Sequence, residues 1–320
     1  DEDYEPMPPK KPKLPAAQVA LIRQWILDGM VETSGGKSQL REIEFDVAAV
    51  SSTKPDGPPP MPENIPEIPA AKTARPSVIT ALATNPWSPL VAVSGYEQII
   101  LRNAETEETL GILPFPEGSI HALRFSRNGT LLLAAGGRGA ASGKAVLFDV
   151  RSGKRVAEFG DEQDVVLAAD ISADHRFVAL GGPAKMVKIF DASNGKMLHR
   201  IDKHTDWITA LAFAPEGDHL ATADRNGGIH VWEAEKGAIV YSLTEHKVRV
   251  TGLAWRADGK MLASAADDGK LVLWDMKDGW PAKVVDAHKS NSPPSRYTKS
   301  TGTLSVDWAK EGTLVTSGRD

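Results

Sequence analysis

The feature that most limits what this chain can fold into is a period of 42 residues. Phe148, Phe190, Trp232 and Trp274 stand 42 apart, and each is followed by an acid, Asp149, Asp191, Glu233 or Asp275. Phe213 and Trp255 form a second ladder at the same interval, with Phe125, Ile171 and Trp308 in equivalent places. His204, His246 and His288 form a third. Three ladders with one period mark an internal repeat. One supersecondary unit recurs, and it buries its apolar faces only by stacking on its copies.

Within a unit the pattern alternates over short segments separated by turns. Thr251 to Trp255 predicts an inner strand, Ala257-Asp258-Gly259-Lys260 a turn, and Met261 to Ala265 a second strand. Asp267-Asp268-Gly269 predicts another turn, Leu271 to Trp274 a third strand and Ala282 to Val285 a fourth. A four-stranded antiparallel unit has two open edges and two apolar faces, so such units range themselves around an axis. The pattern starts near residue 77 and is all-β, with five full units and part of a sixth. The first is the most divergent, with Arg102-Asn103 where an aromatic and an acid are expected.

The spacing and the His…Trp-Asp pairing resemble WD-repeat β-propellers. The resemblance implies a network of a His, a Ser or Thr, an Asp and the Trp inside each blade. In the fifth unit these are His246, Ser264, Asp268 and Trp274; in the fourth, His204, Thr222, Asn226 and Trp232. Asn226 carries no charge, so the fourth network is expected to be weaker. The third unit has Leu180 and Ala184 at polar positions and no His, and is expected to hold by packing alone. Propellers of this kind usually close at seven blades. Thr316 and Asp320 align with Ser264 and Asp268, and the matching Trp would fall six residues further on. The expectation is a fragment whose propeller continues beyond Asp320.

Residues 1–76 carry 13 of the 22 prolines, most of them in clusters at Pro6 to Pro15 and Pro55 to Pro76. Between the clusters, Val19, Leu21, Ile22, Trp25 and Ile26 predict one amphipathic helix over residues 15–28, with Gly29 as its cap. Glu42 to Val50 is expected to form one short strand. Glu5-Pro6-Met7-Pro8-Pro9-Lys10, followed by this helix, resembles the tail of a planctomycete-type c-type cytochrome domain. Asp164 to Ser172 and Thr205 to Leu211 are similar to propellers fused to such cytochromes. The resemblance implies that Met7 is the axial ligand of haem c and that the location is periplasmic or otherwise extracytoplasmic. The chain has no cysteine, so the haem attachment motif is absent and the fragment is expected to be incomplete at its front as well. The division is then 1–30 cytochrome remnant, 31–76 proline-rich linker and 77–320 propeller.

Composition narrows the function. Hydrophobic residues are 41%, charged residues 25% and the formal net charge is -5, which argues against wholesale disorder and against a nucleic-acid partner. Without cysteine there is no disulfide, thiolate metal site or cysteine nucleophile in these residues. No apolar run reaches the length of a membrane span, and a monomer is expected. The ladder histidines fall one per blade and do not converge on one ion, so no metal is expected beyond haem iron on Met7. Gly136 to Lys144 nearly spells a phosphate-binding loop but fails at Arg138 and Ala145, and is expected to be a flexible loop. Asp224, Asp258, Asp267 and Asp268 sit at turns, where Asp serves the backbone. No enzyme signature stands out.

Two insertions remain: the glycine-rich one in the second unit, and Lys289 to Gly302, which stretches Trp255–Trp308 to 53 residues. Antiparallel order places both on one face. Loops on a rigid scaffold commonly carry recognition, so Arg138, Lys289, Arg296 and Tyr297 are expected to contact a protein partner. The expected function is a non-catalytic protein-interaction scaffold, coupled to a c-type haem domain for electron transfer outside the cytoplasm. The alternatives are a purely structural or assembly propeller without haem, and a hydrolase or oxidoreductase with a site in the central channel.

Overall fold

The computed structural model describes residues 54–55, 57–67, 78–288, 302–309 and 312–319. The chain divides into two compact units, 1–44 and 45–320, and every described residue belongs to the second. Met7, the helix expected over 15–28 and the strand expected near Glu42 lie outside the described residues, as do Lys289, Arg296 and Tyr297.

The described residues form strands and no α-helix, and the strands pair antiparallel with their neighbours in sequence. The third blade is β7 (Ala168–Ile171), β8 (Phe177–Gly181), β9 (Val187–Asp191) and β10 (Met197–Ile201). The fourth is β11 (Ile208–Phe213), β12 (His219–Asp224), β13 (Ile229–Glu233) and β14 (Ala238–Leu243). The fifth is β15 (Val250–Trp255), β16 (Met261–Ala266), β17 (Lys270–Asp275) and β18 (Trp280–Asp286). β19 (Thr303–Trp308) and β20 (Leu314–Gly318) begin the sixth. The inner strands β7, β11, β15 and β19 pack in sequence against one another, as the inner strands of a propeller do.

The first two blades depart from the expected separation. β1 (Leu82–Thr84), β2 (Leu90–Asn103), β3 (Thr109–Phe125), β4 (Leu131–Arg138), β5 (Ser142–Asp149) and β6 (Arg155–Glu162) form one six-stranded sheet. β2 folds back on itself, for the Ala104 N–H donates to the Pro89 carbonyl (2.6 Å). β3 runs from the outer strand of blade one into the inner strand of blade two, so Ser119 pairs with Tyr96 on one side and Gly137 on the other. The direct passage Phe115-Pro116-Glu117-Gly118 replaces the polar loop that separates later blades.

Period-two alternation gives each blade one small face and one large face. Between blades four and five, Ala210, Ala212, Ala221 and Ala223 meet Leu253, Leu262, Val272 and Trp274. Between blades five and six, Ala254, Ala263 and Ala265 meet Val306, with Trp308 and Leu314 packed on them. Alanine faces let the sheets approach closely enough for hydrogen bonds across the seam. The Trp255 indole donates to the Ala212 carbonyl (3.0 Å) and the Trp308 indole to Ala254 (3.1 Å). The Thr209 hydroxyl donates to the Val250 carbonyl (2.7 Å), and Thr251, one period later, to Thr303 (2.6 Å). At the seam of blades three and four, Asp170 accepts the Phe213 N–H (2.8 Å), and burial pushes its carboxyl above the ordinary range against the pull of Arg124.

The aspartate that follows a ladder aromatic closes a turn, whereas Glu233 pairs with Lys236 instead (2.6 Å). Asp149 Oδ1 accepts from the Ser152 N–H (2.8 Å), Asp191 Oδ1 from Ser193 (2.8 Å) and Asp275 Oδ1 from Lys277 (2.9 Å). Such a turn needs an oxygen and no charge. Asn103 therefore serves in blade one, where its Oδ1 accepts from Glu105 N–H (2.9 Å).

Candidate functional site

The connections on one face carry the histidines. In blade four, Thr222 projects from β12 opposite His230 of β13, and its hydroxyl is the node of a buried chain. The Trp232 indole donates to Thr222 Oγ1 (2.8 Å), and His204 Nε2 lies 2.7 Å from the same oxygen. His204 Nδ1 reaches Asp224 Oδ2 (3.0 Å). The carboxylate here is Asp224, not Asn226, so the expected weakening does not apply. Asn226 instead donates its side-chain amide to Thr205 Oγ1 (3.2 Å). Asp224 Oδ1 also accepts the N–H groups of Asn226 and Gly228 (both 2.9 Å). Burial opposes ionisation of Asp224, but the hydrogen bonds from His204 and Gly228 outweigh it and hold the carboxyl below its ordinary range.

Blade five repeats half of this. The Trp274 indole donates to Ser264 Oγ and His246 Nε2 contacts the same oxygen, each at 2.8 Å. Asp268 does not complete the chain by a hydrogen bond. Its Oδ1 accepts from the Lys270 N–H (3.0 Å), and buried His246 Nδ1 has no hydrogen-bond partner among the described residues. The position of Asp224 is taken by Ala266 one period later, which is why the fifth chain stops at the ring. Burial pushes the His246 pKa down, against the attraction of Asp268. In the sixth, His288 Nε2 meets Thr316 Oγ1 (3.0 Å).

Blade three replaces the network. Glu162 and Lys188 stand one period before His204 and His230, and Lys188 Nζ lies 2.7 Å from Glu162 Oε1. Both groups are mostly shielded, so this pair adds to the packing that was expected to hold the blade by itself. Leu180 takes the place of Thr222. Beside the Glu162–Lys188 pair lies a cleft of about 980 Å³. Its walls are the β4–β5 hairpin at Ala140 and Ala141, the β6–β7 connection at Asp161 to Val166, and the β8–β9 turn at Gly182 to Ala184. Leu180 and Lys188 line it further in, and Met186 and Arg200 at the side. Asp164 anchors the hairpin, its Oδ1 accepting from the N–H groups of Ala140 (3.0 Å) and Val165 (2.8 Å). Gly143 is needed here, because a Cβ would stand 2.1 Å from the Asp164 carbonyl. The glycine-rich run, expected to be a flexible loop, is thus a tight hairpin.

Arg138 ends β4 on this face, 60% exposed and 2.8 Å from Glu97. Sequence reasoning singled it out but missed the cleft, the contact of the turn residue Asp224 with His204, and the Glu162–Lys188 pair. The last was open to the same 42-residue comparison that found the histidines. Among the described residues no group of three or more His, Asp and Glu is placed to hold a metal, and no helix is long and apolar enough to cross a membrane.

Comparison with known families agrees with this geometry. The WD40 family, described as WD domain, G-beta repeat, matches residues 195–233 and 237–275. Each stretch starts near the outer strand of one blade and ends with the third strand of the next, so the sequence repeat and the sheet are offset by one strand. The fold is an all-β WD-repeat propeller, with the least divergent repeats in blades four and five. No curated protein matches the chain in sequence.

The networks make a pH prediction. The His230 ring centroid lies 4.8 Å from that of His204, and burial together with His204 lowers its pKa from 6.5 to about 4. The unfolded chain therefore binds this proton first, and stability is lost as pH falls from 6.5 towards 4. Asp224 and Lys203 also face the ring, and buried Asp170 works in the opposite sense, so the readout is a difference. His230→Val, copying Val272 of blade five, should give a melting temperature that falls less steeply over this window. An unchanged slope would contradict the assignment.

Proposed function

We propose that this chain is a non-catalytic protein-interaction scaffold that captures its partner on the face carrying the blade-three cleft. WD40 repeats typically build such scaffolds, and the sequence shows no nucleophile–base set. The observation that carries the reading is local. One blade gives up a buried network and leaves a cleft beside a hairpin that the acid Asp164 holds in place. A concave site in which small side chains alternate with charged and amide groups suits a polar peptide segment of a partner. Arg138, together with Lys289, Arg296 and Tyr297 of the insertion between the fifth and sixth units, would extend the contact, and the scaffold itself would act as a monomer.

The experiment is capture by the full-length protein. Ala184→Trp, which fills the mouth of the cleft from an exposed turn, and deletion of Ser290 to Ser300 should each reduce partner recovery at least ~10-fold. Melting temperatures should stay unchanged. Full recovery with both changes would overturn the reading.

The finer part of the proposal couples the scaffold to a c-type haem domain for electron transfer outside the cytoplasm. It rests on Met7-Pro8-Pro9 and the helix pattern behind it. A thioether sulfur on a proline-stiffened turn suits an axial iron position. These 320 residues hold no cysteine for thioether attachment. The gene product expressed in a host that matures c-type cytochromes should show a Soret band that shifts in Met7→Ala. A colourless product leaves the scaffold without its redox partner.

A further inference from the structure

Part of the stretch expected as a linker is seated in a groove. Residues 57–67 lie along the first sheet, and Ile65 is 8% exposed within the cluster of Leu113, Phe115, Phe148 and Val150. Two glycines make room for it. A Cβ on Gly111 would stand 2.5 Å from Ile65 Cγ2, and one on Gly153 would stand 2.9 Å from Ile65 Cδ1. Met61 packs on the same cluster.

The polar contacts suit a proline-rich strand. Prolyl residues offer carbonyls and no N–H, so their groove must supply donors. The Ser88 hydroxyl donates to the Pro60 carbonyl (3.0 Å), and the Ile112 N–H donates to Pro66 (2.9 Å). The Glu63 N–H donates in turn to the Arg151 carbonyl (2.8 Å), and the Glu63 carboxylate lies 3.4 Å from the Arg151 guanidinium. Further back, Lys54 Nζ sits 5.3 Å from the centre of the Trp87 ring.

From this geometry we propose that the groove is a recognition site for a Pro-x-Pro-x-x-Ile-Pro segment, and that residues 60–66 of this chain are its resident ligand. The segment binds as a peptide does: one apolar anchor in a fitted pocket, three main-chain bonds, and a proline-stiffened backbone on either side of a bend at Asn64 (φ 56°). The occupant is the chain's own segment, because that segment is seated there and its order of acceptors matches the donors of the groove. Covalent connection keeps it in place by raising its effective concentration. It follows that the latch is separable and that free peptide of the same sequence competes with it.

The test uses the full chain with a protease site inserted between residues 69 and 77. After folding and cleavage, the front fragment should stay with the propeller on size exclusion at high micromolar concentration. An excess of synthetic peptide 57–68 should release it. The same peptide carrying Ile65→Asp should need at least ~10-fold more, since it loses the buried anchor. This competitor leaves the protein untouched, so misfolding of a variant is not an issue. Loss of the fragment on cleavage alone, failure of the unmodified peptide to displace it, or equal potency of the two peptides would each overturn the proposal.

Discussion

The structure depends on the seam between neighbouring sheets. A blade with two apolar faces is stable only when both are covered, and here the cover is asymmetric. Ala221 and Ala223 of β12, and Ala263 and Ala265 of β16, present almost flat surfaces, and the large residues of the next blade lie on them. Close approach follows from that choice, and with it the indole and threonine hydrogen bonds that cross the seam. The second effect needs the first, because a side chain larger than alanine would hold the Trp255 indole away from the Ala212 carbonyl.

The same alternation explains the placement of the polar chains. Leu262 and Ser264 share one face of β16 while Ala263 and Ala265 share the other, so the node hydroxyl falls beside the indole of its own blade. There it accepts from tryptophan and meets histidine, and a connection is pinned to the sheet. Each such buried bond is worth about 1 kcal/mol net, and leaving its partner unpaired costs more. Blade three has Leu180 in place of the node, and Leu180 lines a cleft together with the shielded Glu162–Lys188 pair. Absence of the polar node in one copy of the repeat thus distinguishes that copy from its neighbours, and the proposed partner contact rests on this difference.

Much of this was legible in the sequence, and the limits have physical causes. Aromatic and histidine ladders exposed the repeat because indole and imidazole have few substitutes in their buried positions. Strand limits in blade five followed from alternation and Asp-Gly turns. Asn226 takes the network position in a register comparison because it aligns with Asp268, whereas the residue that reaches His204 is Asp224, two residues earlier at the end of β12. The fusion of blades one and two was hidden because nothing in residues 115–118 distinguishes a tight passage from a loop. The seat of Ile65 was hidden because its pocket is built from Gly111 and Gly153, whose role appears only when the surrounding atoms are in place.

The asymmetric seam is tested most directly by a double-mutant cycle across blades four and five. Ala221→Leu should overpack the seam and cost about 1–3 kcal/mol in unfolding free energy. Leu262→Ala, on the opposing face, should cost about 2–5 kcal/mol through the cavity it leaves. Together they should cost clearly less than the sum, with a coupling of about 0.5–3 kcal/mol, because the new leucine enters the space the old one vacates. Strictly additive losses would show that the two faces do not meet as described.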